Sequence, residues 1–276
     1  MKTELHCHTT LSDGATEMEH LFQYAKLGGI DNLAITDHDT IDGYEQALAL
    51  AGKYGIRLVP AVEISTFDYS CNRRVHMLCY YYKDREVLNE FLQRIQENRK
   101  ITAERMLKKV SEEIPIDISM VREYAKDSYC VFKQHIMRTL MDMGYTSEMY
   151  GTLFKQLFDS KIGTCYMPPT FPDVYETLEV IKRAGGLAVM AHPSEYRSME
   201  LLRQLTVKGL LDGIELWHPR NLEEDKEEIA QLVKKYHLIA TGGTDFHGMY
   251  SFRCHRLGAF TTPDDMFHRM EAHAVR

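Results

Sequence analysis

The chain has 276 residues, of which 44% are hydrophobic and 26% charged. This is the composition of a globular protein with one large domain, or one domain carrying an inserted lobe, and it excludes a disordered or fibrous chain. With 33 basic and 40 acidic residues the net charge is −7, so no overall basic footprint for nucleic acid exists, and no run reaches the ~18 apolar residues of a membrane span.

Met1-Lys2-Thr3-Glu4-Leu5-His6 contains no apolar leader region, so the chain is read as cytoplasmic. None of the six cysteines forms a Cys-x-x-Cys pair, which suits reduced thiols rather than a disulfide frame.

Short apolar runs recur along the chain at 32–36, 57–64, 75–81, 187–191, 212–216 and 238–241. Uniformly apolar runs of this length predict buried strands of a mostly parallel sheet. Helical periodicity separates them at 18–27, 44–54, 174–184 and 222–236, and Gly185-Gly186 provides a helix stop. Strand–helix alternation predicts an α/β fold, either a barrel or a doubly wound sheet. From about Arg85 to Phe158 the alternation breaks. Helical patterns at 86–113, 120–126, 134–143 and 149–158 predict a helical insertion between two strands.

Polar residues cluster where the predicted strands end. His6-Cys7-His8 places two imidazoles on one face of a strand, a spacing that can chelate a metal ion. Asp13 follows in a Ser12-Asp13-Gly14 turn. Thr36-Asp37-His38-Asp39 closes the second run, Glu63 lies at the end of the third and His76 within the fourth. His192 follows the next, Glu215 and His218 flank Trp217, and Thr244-Asp245-Phe246-His247-Gly248 ends the series. The C-terminal ends of strands are where α/β folds place their active sites. Imidazoles suit Zn, Mn or Fe, and carboxylates suit hard ions. A mixed set of this size can hold two or three divalent ions. Bridged ions make hydroxide available at neutral pH and clamp phosphoryl oxygens during in-line displacement.

These motifs resemble the PHP family (polymerase and histidinol phosphatase domain), nearest its stand-alone metal-dependent phosphoesterases with a helical insertion. The resemblance rests on His6–Gly14, Thr36–Asp39, Pro60–Ile64, His76, Ala191-His192-Pro193 and Gly243–Gly248, and spans the chain. It implies a distorted TIM-like (β/α)7 barrel with seven parallel strands, built from residues 1–84 and 159–276, and capped by the insertion 85–158. It also implies a trinuclear centre of Mn, Zn or Fe. His6, His8, Glu63 and Asp245 would hold the first ion. Glu63 would bridge to a second, held also by His76 and His192. Asp13, His38 and His247 would hold the third, Asp13 standing where some relatives carry His. Asp37 joins the catalytic set or orients a ligand, and Asp39 orients a ligand or caps the next helix.

In the insertion, Phe132-Lys133-Gln134-His135 stands where nucleotide phosphatases of the family read roughly Gly-Arg-Pro-His. Lys133, His135 and Arg138 are therefore expected to hold a distal phosphate, although Lys lacks the planar fork of Arg. Arg99 and Arg105 on the preceding helix, Arg220, and Arg253 with His255 in the loop after the last motif are further substrate contacts. His218 is a phosphate contact or a general acid to the leaving oxygen, and Trp217 is packing. The activity implied is hydrolysis of a small phosphorylated metabolite, a nucleotide or sugar phosphate, by attack of metal-bound hydroxide on phosphorus. Four alternatives stand beside it: a cyclic sugar phosphate phosphodiesterase, a 5′-3′ exonuclease on short RNA, a non-catalytic metal-binding domain, and an amidohydrolase-like C–N or C–O hydrolase. No membrane partner is expected, and no nucleic acid beyond short oligonucleotides.

Overall fold

The computed structural model describes residues 1–275. Strands β1 (Thr3–Glu4), β2 (Asn32–Ala34) and β3 (Arg57–Val59) form a parallel sheet in that order. A second sheet runs β4 (Ala61–Asp68), β5 (Arg73–Tyr80), β6 (Leu187–Met190), β7 (Gly213–Trp217) and β8 (Ile239–Gly242). The apolar run at 57–64 is split at Pro60, which has no N–H for a ladder and marks the passage from one sheet to the other.

The expected barrel of seven parallel strands is not what forms. β5 runs antiparallel to both β4 and β6, with Glu63 opposite Leu78 and Leu78 opposite Val189. The two sheets meet only through isolated bridges, parallel at Cys7 with Phe246 and at His38 with Glu63, and antiparallel at Thr3 with Thr262. The architecture is a mixed α/β fold of two sheets linked by isolated bridges rather than by a continuous ladder, so no closed barrel forms among the described residues. One of those bridging pairs, His38 with Glu63, consists of predicted site residues, and another, Cys7 with Phe246, is flanked by them on both strands: His6 and His8 on one side, Asp245 and His247 on the other.

Helices α1 (Met18–Leu27) and α2 (Tyr44–Tyr54) cover the smaller sheet with the bounds their periodicity predicts. α7 (Val174–Arg183), α8 (Met199–Val207), α9 (Glu223–Tyr236) and α10 (Asp264–Ala274) pack on the larger one; α8 and α10 were not predicted. Between β5 and α7 lie α3 (Arg85–Glu113), α4 (Ile118–Tyr124), α5 (Lys133–Asp142) and α6 (Thr152–Phe158). The Asp84 side chain caps α3 by accepting from Glu86 N and Val87 N. The first turns of α3 bury Leu88, Phe91, Leu92 and Ile95 in the main core. Its later turns bury Met106, Leu107 and Val110 in a second core with Ile136, Met137 and Leu140. One 29-residue helix thus ties the helical segment to the sheets. Among the described residues, no helix is long and apolar enough to cross a membrane.

Candidate metal centre

His6, His8, Asp13, His38, Glu63, His76, His192, Asp245 and His247 converge; Glu63, expected at the end of a strand, lies near the start of β4, and His76 lies within β5, while the others follow the ends of β1, β2, β6 and β8. Close packing explains two motif glycines: a Cβ on Gly243 would collide with His6, and one on Gly14 with the His8 carbonyl. Asp39, His192 and Asp245 have φ of 56°, 21° and 51°. Left-handed backbone costs a non-glycine residue roughly 1–2 kcal/mol, and such strain concentrates at functional sites.

Glu63 sits at the middle. Its Oε1 lies 2.8 Å from His76 Nδ1 and 2.9 Å from His192 Nε2. Its Oε2 lies 3.2 Å from both His6 Nε2 and His8 Nε2, and 3.3 Å from His38 Nδ1. Asp245 Oδ1 faces His8 Nε2 at 3.3 Å and His6 Nε2 at 3.5 Å. Asp13 Oδ1 faces His247 Nε2 at 3.1 Å. Donor atoms gather in sets within 4.8 Å, among them His6–His8–Glu63–Asp245 and His8–Asp13–His38–His247.

Apart from His76 Nδ1 and His192 Nε2, which hydrogen-bond to Glu63 Oε1, most of these atoms are close without being hydrogen-bonded. Of the twelve buried side-chain N and O atoms left without a partner among the described residues, six belong to these ligands: His6 Nε2, both His8 ring nitrogens, Asp13 Oδ1, His38 Nδ1 and His192 Nδ1. Native proteins rarely leave such atoms unpaired, and convergent lone pairs are what a cation satisfies. The donor set fits divalent ions. Burial opposes ionisation of Glu63 and Asp245, yet the surrounding imidazoles hold both carboxyls well below their ordinary values. Burial likewise opposes a charge on His8, but Asp245, Glu63 and Asp13 push it up to about 10, so the floor attracts positive charge.

A supporting layer sets ring orientation. His6 Nδ1 lies 2.8 Å from Glu215 Oε1, while His192 N donates to Glu215 Oε2 at 2.9 Å. The carboxylate accepts the hydrogen bond from Nδ1–H and leaves the His6 Nε2 lone pair facing the centre. His247 Nδ1 meets the Asp245 carbonyl at 2.9 Å, with the same result. Arg220 N donates to His218 Nδ1 at 3.1 Å, so the His218 proton resides on Nε2, 3.4 Å from Asp245 Oδ2. His218 is completely buried and off the cleft wall, which makes it a support for Asp245 rather than an acid facing substrate. Sequence reasoning missed Glu4. Its carboxylate accepts from His6 N, Thr244 N, Thr244 Oγ1 and Gly258 N, binding together the segments that carry His6 and Asp245. Burial pushes its pKa up to about 7 against those four donors.

Asp37 is not in the centre. Its oxygens accept from Thr9 N at 2.7 Å, Ser12 Oγ at 2.6 Å and Thr9 Oγ1 at 2.6 Å, so it fixes the loop between His8 and Asp13. Asp39 caps no helix. Its Oδ1 accepts from Ser65 N at 2.7 Å, and its Oδ2 from Arg99 Nη2 at 2.8 Å.

A cavity of about 290 Å³ opens above the centre, walled on the helical side by Arg99, Lys133, Gln134 and Tyr150 and elsewhere by Arg74 and Arg220. Ion pairing sorts the cations. Arg99 is bound to Asp39 and to Ser65 Oγ, and Arg220 to Glu195. Arg74 donates to Tyr166 Oη at 2.7 Å, and Lys133 Nζ lies 4.3 Å from the Tyr166 ring centroid. Neither has a carboxylate within 4.0 Å among the described residues. Burial, with Arg74 and Arg99 nearby, lowers Lys133 to about 7. Arg74 carried no motif and was not predicted. His135, Arg138, Arg253 and Arg105 do not reach the cavity. His135 Nδ1 accepts from Phe132 N at 3.1 Å, Arg138 pairs with Asp142, and Arg253 and Arg105 are exposed.

The model of the PHP domain matches residues 4–238. The chain belongs to the PHP domain family. This PHP domain is 33% identical over 255 residues to the phosphoribosyl 1,2-cyclic phosphate 1,2-diphosphodiesterase of Eggerthella lenta, covering 91% of this chain and 95% of that one. It is 31% identical to the 5′-3′ exoribonuclease Rnm of Escherichia coli, over 88% of this chain and 84% of the relative. A solved structure from Bifidobacterium adolescentis, a candidate metal-dependent phosphoesterase, superposes with a TM-score of 0.88 at 29% identity, over 98% of this chain and 95% of that one.

Proposed function

We propose that this PHP domain is a metal-dependent phosphoesterase that hydrolyses a small phosphorylated sugar bearing a second anionic group. The observation carrying this reading is the juxtaposition of a carboxylate–imidazole floor, rich in unpaired lone pairs, with two unpaired cations, Arg74 and Lys133, on the cavity wall. His6, His8, Glu63 and Asp245 would hold one divalent ion; Glu63, His76 and His192 a second; Asp13, His38 and His247 a third. Mn, Zn and Fe all suit this donor set. Such ions, when bound, supply Lewis acidity and make hydroxide available near neutral pH.

The chain's own residues supply position and charge. Glu63 presents one oxygen to each of two histidine sets, and Glu215 and the Asp245 carbonyl fix the rings of His6 and His247. His218 holds Asp245 from behind. The helical segment 85–158 acts as a cap that narrows the cavity to small substrates. Arg74 and Lys133 hold the distal anion at fixed reach from the floor, so the reacting phosphoryl group is oriented by binding energy remote from it.

Within this class, a phosphoribosyl cyclic phosphate is the preferred substrate, a reading supported by the similarity to the Eggerthella lenta diphosphodiesterase. A second reading, removal of nucleotides from the 5′ end of short RNA, is favoured by the similarity to the exoribonuclease. The test compares ribose 1,2-cyclic phosphate with and without a 5-phosphate, and a 5′-phosphorylated oligoribonucleotide. The proposal expects kcat/KM to fall at least roughly tenfold when the 5-phosphate is absent, since a charged hydrogen-bonded contact contributes about 1.5–3 kcal/mol. Equal rates on the two sugars would refute the distal subsite, and turnover of RNA alone would establish the second reading.

A further inference from the structure

The three sets of ligand atoms are not supported alike. The first two are oriented from the sheets, through Glu215 on β7 and Glu63 on β4. The Asp13–His38–His247 set is also held from above by the helical segment, Asp13 directly and His38 and His247 through neighbouring residues of their loops.

Gln134, at the start of α5, donates from Nε2 to Asp13 Oδ2 at 3.0 Å. This occupies one carboxylate oxygen and leaves Oδ1, which has no hydrogen-bond partner, facing His247 Nε2 at 3.1 Å. The Gln134 amide also lies 3.4 Å from the hydroxyl of Tyr150, in the same helical segment. Tyr150 Oη in turn donates to the Tyr250 carbonyl at 2.8 Å. Tyr250 closes the single turn that follows His247, and its ring is buried in the core of the helical segment. The third member, His38, precedes Asp39. On α3, Gln96 donates to the Asp39 carbonyl at 2.8 Å, and Arg99 binds the Asp39 carboxylate at 2.8 Å. The attachments thus come from three places on the cap and reach three separate loops of the sheet scaffold.

We propose that the helical segment is a structural part of the Asp13–His38–His247 ion site, with Gln134 as the positioning residue, so that ion binding there and seating of the cap stabilise one another. The proposal rests on the metal-centre reading above. Linkage makes the coupling reciprocal: loosening the cap weakens that ion, and removing that ion loosens the cap. Substitution of residues that orient metal ligands lowers metal affinity by roughly 10–100-fold, and here the loss falls on one ion alone.

The test is equilibrium binding of Mn²⁺ to the full-length protein, read as stoichiometry and stepwise affinity, with Gln134→Ala and Tyr150→Phe beside the wild type. Tyr150→Phe removes one hydroxyl and keeps the packing. Both variants are expected to weaken one Mn²⁺ by roughly 10–100-fold and to retain the others at wild-type affinity. In parallel, amide exchange across residues 133–142 is expected to slow when Mn²⁺ is added to the wild type, and to stay unchanged in Asp13→Ala. Unchanged Mn²⁺ binding in both variants, uniform weakening of every ion, or α5 exchange indifferent to Mn²⁺ would overturn the proposal while leaving the metal centre standing. A wild-type protein that binds no Mn²⁺, Zn²⁺ or Fe²⁺ would overturn both.

Discussion

Glu215→Gln isolates the supporting layer of the centre. Glu215 is completely buried, and its two oxygens serve two donors: His6 Nδ1 at 2.8 Å and His192 N at 2.9 Å. A glutamine has one oxygen and one amide group at the same positions. If its oxygen goes to His6 Nδ1, the buried amide N–H faces His192 N–H, an unsatisfied contact that costs about 1–3 kcal/mol. If the oxygen goes to His192, His6 loses the acceptor that keeps its proton on Nδ1, and its Nε2 lone pair is no longer reserved for an ion. Loss of such a partner lowers metal affinity about 10–100-fold, or about 1.4–2.8 kcal/mol. The assay is Mn²⁺ competition against a fluorescent chelator, with thermal unfolding in chelator measured alongside. The expected result is weaker binding of the ion held by His6, together with a Tm lowered even without metal. Wild-type affinity and wild-type Tm would refute the claim that Glu215 orients His6.

Lys133, lowered to about 7 by burial and by its neighbours Arg74 and Arg99, holds an anion only when protonated. KM for a substrate with a terminal phosphate should therefore be lowest below pH 7 and rise as pH climbs through 7 to 9, and Lys133→Arg should flatten that rise in a pH–KM profile. Asp37→Asn should lower Tm by removing an acceptor from the Thr9–Ser12 loop, at about 1–3 kcal/mol, yet leave Mn²⁺ stoichiometry intact by elemental analysis; loss of turnover with unchanged Tm would restore Asp37 to the catalytic set. Chelation should lower Tm, since an ion at 100 times its Kd stabilises by about 2.7 kcal/mol, and calorimetry with and without chelator reads this directly. Arg74→Met should raise KM for substrates with a distal phosphate and spare those without one, as steady-state kinetics on the two sugars will report.

Much of the centre is legible in the sequence because the chemistry is local. His6-x-His8 sets two imidazoles close together, and His38, His192 and Asp245 each follow an apolar run, whereas Glu63 and His76 lie within the runs that become β4 and β5. The helix bounds at 18–27 and 44–54 are equally local, set by periodicity and by Gly28 and Gly55. Strand direction is not local. β4 and β5 are buried along most of their length, so their side chains show no alternation to reveal a sheet face. The reversal between them is made by Asp68, whose carboxylate accepts from Ser70 N and Cys71 N, and by Asn72 in the left-handed region. Cation function is also nonlocal. Arg99 and Arg220 look like anion contacts by residue type, but each finds a carboxylate, Asp39 or Glu195, whereas Arg74 and Lys133 find none. That sorting depends on partners brought together only by the fold, as do the links from Gln134 to Asp13 and from Glu4 to Thr244.

The most direct measurement is a phosphorus NMR time course with protein reconstituted in Mn²⁺ and its metal content confirmed. The substrates are 5-phosphoribosyl 1,2-cyclic phosphate, a simple sugar phosphate and a nucleoside 3′,5′-bisphosphate, each run also with Asp245→Ala. The account predicts loss of the cyclic signal, with a monoester appearing and then free phosphate, and no turnover by a folded Asp245→Ala. Silence on all three substrates with ions bound, or undiminished turnover by Asp245→Ala, would contradict it.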